Sequence, residues 1–112
     1  TWDERRADER REAVAQWLLS LPKPAGVLGF NDILGRYVVE AARHAGIEVP
    51  DELAVVGIDD DEVQCEYSNP PLSSIDTRRD RVGFEAAAVL RRLLDGQRPP
   101  KSPLLVPPRG VI

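Results

Sequence analysis

The sequence predicts an α/β protein with a mostly parallel sheet and helices on both faces. Three observations carry this. Short apolar runs alternate with helix-forming stretches in the order α-β-α-β-(α)-β-α-β. The runs are continuously apolar rather than alternating, as parallel strands are when both faces are covered. Each is bounded by turn residues or a helix cap, so the strands are short and joined through helices.

The first element is "DERRADERRE", residues 3–12, where only Ala7 interrupts the ionisable groups. Mixed signs on good helix formers give a solvated helix with i,i+4 ion pairs, each worth about 0.2–0.5 kcal/mol. Thr1 and Glu4 have capping-box spacing, which starts the helix at residue 1 or 2. Val14, Trp17, Leu18 and Leu21 then form a stripe to be buried, and Pro22 and Pro24 end the helix. "AGVLGF", residues 25–30, reads as a buried strand. In "NDILGRYVVEAARHAG", Asn31 or Asp32 caps a helix whose apolar face is Ile33, Leu34, Tyr37, Val38, Ala41, Ala42 and Ala45, and Gly46 closes it. "DELAVVGID" supplies the second strand, "DEVQCEYS" one or two helical turns, and Asn69-Pro70-Pro71 a break. "LSSID" is the third strand. A long helix over residues 79–95 turns Val82, Ala86, Val89, Leu90 and Leu93 inward, with Gly96 after its end. A stiff loop from Pro99 to Pro103 leads to "LLVPP", residues 104–108, expected as the last strand.

The chain has 112 residues, enough for one domain or part of one. Its net charge of −4 argues against holding nucleic acid by phosphate neutralisation. A single cysteine, Cys65, excludes an intrachain disulfide framework and fits a reducing cytoplasm. No apolar run approaches the roughly 20 residues of a membrane span, and no signal peptide opens the chain. It begins inside a charged helix pattern and stops at "RGVI", as a fragment of something longer would.

In a parallel α/β sheet, ligands meet the carboxyl ends of the strands. That rule selects Asn31-Asp32, Asp59-Asp60 and Asp76-Thr77, all expected on one rim. Asn both donates and accepts while Asp accepts, a combination suited to a polyhydroxylated ligand. Plainer roles stand beside this. Asn31 and Asp32 also suit a helix cap, and Asp61 and Glu62 the first turn of a helix, where the dipole favours acids. Asp60 suits either role, and Asp59 is the first polar side chain off a buried strand. A metal site is disfavoured, because adjacent strand residues point in opposite directions. A phosphoacceptor site lacks a lysine at a strand end, since Lys23 and Lys101 lie in Pro-rich loops. His44, the sole histidine, falls at a helix C-terminus, and Cys65 has no partner at a motif spacing. Neither GxGxxG nor GxxxxGK[ST] occurs, so no catalytic residue, cofactor or metal is assigned.

"GVLGFNDILGRYVVEAARHAGIEVPDELAVVGIDDDE", "NPPLSSID" and "GFEAAAVLRRLLDG" resemble the sugar-sensor domain of LacI/GalR-type transcription regulators, specifically the C-terminal lobe of its periplasmic-binding-protein-like fold. The resemblance covers residues 25–112. "WLLSLPKPAGVLGFND" and "LLVPPRGVI" look like the xylose-operon branch, in which a LacI-like sensor precedes an AraC-type DNA-binding domain. This implies a non-enzymatic, cytoplasmic regulator that senses a monosaccharide, a pentose such as xylose, between two lobes. Asn31 and Asp59 match the family's sugar-binding positions. Trp2 stands near a stacking aromatic or is an ordinary surface or core Trp. Thr77 stands where many relatives carry Gln, and Ile58 where many carry an aromatic residue. The first strand, the partner lobe and the DNA-binding domain would lie outside the chain, and the parent would be a homodimer. Competing readings are half of a transport-type periplasmic sugar-binding protein, and a small phosphotransfer or metal-dependent enzyme using Asp59.

Overall fold

A computed structural model of the chain describes residues 4–112, with side chains from Arg6 onward. The expected cap at Thr1 and the candidate Trp2 lie outside the described residues. Helix α1 spans Glu4–Ser20, β1 Ala25–Leu28, α2 Asp32–His44, β2 Leu53–Ile58, α3 Glu62–Glu66, β3 Ser73–Asp76, α4 Arg79–Leu94 and β4 Gly110–Val111. The strands form one sheet in the order β1-β2-β3-β4. β1 and β2 are parallel, as are β2 and β3, while β4 runs antiparallel to β3.

Strand register divides the side chains cleanly. Ala25, Val27, Leu53, Val55, Gly57 and Ser74 share one face, onto which α1 and α2 pack. Leu18 of α1, Val39, Ala41 and Ala42 of α2, Leu53 and Val55 of β2, and the loop residues Ile47 and Leu72 form the buried core. Truncating Leu18 or Leu53 to Ala would remove about 2–5 kcal/mol, since both are fully enclosed.

The sheet is α/β and mostly parallel, as expected, and among the described residues the enclosed core lies on the face covered by α1 and α2. Leu28, Ala54, Val56, Ile58 and Ile75 point to the other face, where Leu28 is 62% exposed. Other differences come from packing rather than helix period. In α1 the enclosed positions are Ala15 and Leu18, and Trp17 faces outward. In α2 the buried stripe is Gly35, Val39 and Ala42 rather than Ile33 and Leu34, because Gly29 and Gly35 bring the β1–α2 turn and the helix into close approach.

The expectation for the last strand is corrected. Leu104–Pro108 is irregular, since Pro107 and Pro108 have no N–H to give to a ladder. The pairing falls instead on Gly110–Val111, flanked by reciprocal bonds between Ser74 and Ile112. The inward burial expected for α4 is corrected as well. None of its residues is buried, and its apolar stripe lines a groove of about 470 Å³ together with Pro100 and Leu104–Val106.

Candidate functional site

The rim at the carboxyl ends of β1, β2 and β3 is assembled by backbone bonds that cross the strands. The Gly29 N–H donates to the Val56 carbonyl at 2.8 Å, and the Asp59 N–H to the Ile75 carbonyl at 3.0 Å. Successive strand exits are thereby locked side by side.

Asn31 leaves β1 in extended conformation and caps α2, its Oδ1 accepting the Leu34 N–H at 2.9 Å. The cap role read from sequence is thus present, and it uses the amide oxygen. The next residue, Asp32, turns the other way. It is 1% exposed, and its carboxylate reaches under the rim to β2 and β3. Oδ2 accepts the Asp61 N–H at 2.7 Å, and Oδ1 accepts the Ser74 hydroxyl at 2.6 Å.

The exit from β2 is strained. Asp59 has φ 112° and Asp60 φ 54°, both in the region that favours glycine. Asp60 donates its N–H to Ser74 Oγ at 3.0 Å and accepts a long bond from the Arg79 guanidinium at its carbonyl. Asp61 caps α3, its Oδ1 accepting the Gln64 N–H. The four acids therefore divide. Asp61 and Glu62 serve the helix start, Asp60 is tied through its backbone, and the half-buried Asp59 projects from a constrained turn.

At the exit from β3, Asp76 is consumed by the fold. Its carboxylate accepts the Arg78 N–H at 2.7 Å and pairs with the Arg109 guanidinium at 2.9 Å, while its carbonyl accepts the Arg109 N–H. This clamp anchors β4. Thr77 follows on the rim, but its Oγ1 is enclosed and has no hydrogen-bond partner among the described residues. Sequence reasoning missed Asp32 and Ser74 as the support beneath the turn. Ser74 carried a faint signal, being a hydroxyl at an inward position of β3.

Cys65 of α3 lies beside this support. Burial, then the charge and hydrogen bonding of Asp32, push its thiol up to about 11. Among the described residues no group of three or more His, Cys, Asp or Glu side chains is placed to hold a metal ion, and no helix is long and apolar enough to cross a membrane.

The family profile of the periplasmic binding protein-like domain matches residues 1–112. The chain is 37% identical over 100 residues to the xylose operon regulatory protein of Haemophilus influenzae, covering 89% of this chain and 26% of that protein. The Escherichia coli K12 protein of the same name is 37% identical over 99 residues, and the transcriptional regulator DegA of Bacillus subtilis 33% over 95. Among solved structures, a LacI family transcriptional regulator from Arthrobacter, in complex with lactose, superposes with a TM-score of 0.69 at 32% identity, over 89% of this chain and 39% of that one. The chain spans about a quarter of the length of the xylose operon regulators it matches.

Proposed function

The chain belongs to the periplasmic binding protein-like domain family, in the form found in LacI-type regulators, and we propose on that footing that it is the C-terminal effector-binding lobe of a sugar-responsive transcription regulator. One observation carries the reading. Parallel strands lead to Asn31 and Asp59 at one end of the sheet, the first with an amide whose NH2 the helix cap does not use and the second an acceptor on a positive-φ turn. A partner lobe closing on this rim would sandwich a monosaccharide, for which the names of the xylose operon relatives favour a pentose such as xylose. Thr77 supplies a third contact once ligand binding uncovers its hydroxyl. The site residues are thus Asn31, Asp59 and Thr77, with Trp2 as a candidate stacking aromatic.

The unpartnered stripe of α4 fits the same picture, since Val82, Ala86, Val89, Leu90 and Leu93 offer an apolar face to the partner lobe. DNA would be read by a separate domain of the regulator, AraC-type in the xylose branch, acting in the cytoplasm on a homodimeric parent. The named relatives are regulators, which favours this role over a transport protein or an enzyme.

Half a clamp loses most of the affinity that closure and water exclusion provide. Calorimetry with D-xylose is expected to give a dissociation constant in the millimolar range or weaker for residues 1–112. The two-lobe sensor binds more tightly, and Asp59→Ala weakens it at least about tenfold, or ~1.4 kcal/mol. Micromolar binding by residues 1–112 alone would overturn the reading.

A further inference from the structure

Asp32 is adjacent to the rim residue Asn31, yet its carboxylate is shut away from solvent and both oxygens are committed to donors, one from β3 and one from the turn between β2 and α3. The partners form a closed circuit. Asp60 N–H donates to Ser74 Oγ, Ser74 Oγ–H to Asp32 Oδ1, and Asp61 N–H to Asp32 Oδ2. With the Asp59 N–H on the Ile75 carbonyl, three successive amides of the left-handed turn are fixed from below. Of these amides only that of Asp61 reaches the carboxylate directly, and that of Asp60 is relayed to it through Ser74 Oγ.

The surroundings are shaped for a carboxylate. Both of its partners are donors, so an amide in its place would set one NH2 against a donor or strip the Ser74 hydroxyl of its acceptor. Gly57 lies directly against it, and a Cβ there would fall on Asp32 Oδ1.

We propose that Asp32, with Ser74, is the positioning residue of the effector site: it makes no ligand contact, but holds the Asp59–Asp60 turn in its left-handed conformation and so aims Asp59 at the ligand. The inference rests on the effector-lobe reading only for what Asp59 meets; the hold on the turn is a property of this chain.

Two arms test it separately. In the 112-residue chain, Asp32→Asn is expected to raise amide hydrogen exchange at Asp60 and Asp61 at least about tenfold, while Leu53 and Val55 in β2 stay protected. In the two-lobe sensor, with D-xylose as the probe, Asp32→Asn is expected to weaken binding about tenfold or more. Adding Asp60→Gly, which adopts a positive φ without support, should recover much of that loss, whereas a merely structural lesion would not be rescued there. Unchanged exchange at Asp60 and Asp61, or weakened affinity with no rescue, overturns the proposal. If Asp32→Asn unfolds the chain, Ser74→Ala decides, because it removes the prop on Asp60 and the donor to Asp32 Oδ1 but leaves the Asp32 carboxylate and its bond from Asp61 in place; wild-type protection of the Asp60 amide overturns the proposal equally. A wild-type sensor that binds no monosaccharide overturns the effector reading and the claim about aim, while the exchange arm still decides the hold on the turn.

Discussion

Asn31 carries two duties on one amide, and substitution can part them. Oδ1 is held by the Leu34 N–H, while Nδ2 is the group available to a hydroxylated ligand. Asn31→Asp keeps a capping oxygen and loses the donor, so its unfolding midpoint should match the wild type while D-xylose affinity in the two-lobe sensor falls about tenfold. Asn31→Ala should lose the affinity and also about 1 kcal/mol of stability by denaturant melting. Equal affinity for Asn31→Asp and wild type would confine Asn31 to the cap. Cys65 gives a pH-dependent check on its neighbour Asp32. Raising the thiol from 9.0 to about 11 lowers the thiolate fraction at neutral pH about a hundredfold, and iodoacetamide should react correspondingly slowly with the native chain. The sign for stability follows directly. Between pH 9 and 11 the unfolded chain has released this proton and the native one has kept it, so stability is unaffected below 9 and falls as pH rises through that window.

Among the elements, β2 makes the sharpest demand on its sequence. An Ala at Gly57 would press its methyl into Asp32 and to within 3.1 Å of a Leu72 methyl, and overpacking of this kind costs about 1–3 kcal/mol. Chemical denaturation of Gly57→Ala measures it, and a change under about 0.5 kcal/mol would show that the contact relaxes freely. The three parallel strands and their helices were legible because apolar runs and caps are local signals. The position of Asn31 and Asp59 at strand exits was legible for the same reason. Asp32 was not. An acid after a cap residue reads alike whether it faces solvent or dives beneath the sheet, and only the arrival of Ser74 and the Asp61 amide decides it. β4 was misplaced because apolar Leu104 and Leu105 resemble a strand, whereas pairing was settled by the Asp76–Arg109 clamp and the amides of Arg109 and Ile112, which donate to Asp76 and Ser74. For α4 the period was read correctly, but an apolar stripe tells that something will cover it without telling what.

Taken together, the chain is extended for its size. Its Cα radius of gyration is 18.6 Å, against about 13 Å for a compact domain of this length. The excess comes from α4 and the loop after it, which carry exposed Leu90, Leu93, Leu94, Leu104 and Leu105 away from the core built by α1, α2 and the sheet. A helix with no buried residue gains little from packing, and 16 residues are marginal for helix formation on propensity alone. Amide exchange in the isolated chain should therefore be fast throughout α4 and slow in β2. If α4 is a face for the partner lobe, the cost of truncating it must depend on that lobe. Leu90→Ala is expected to change the stability of residues 1–112 by less than about 0.5 kcal/mol, and that of the two-lobe sensor by about 2 kcal/mol or more. Equal costs in the two proteins would mean that α4 finds its cover within this chain, and the partner-lobe assignment of its apolar stripe would fall.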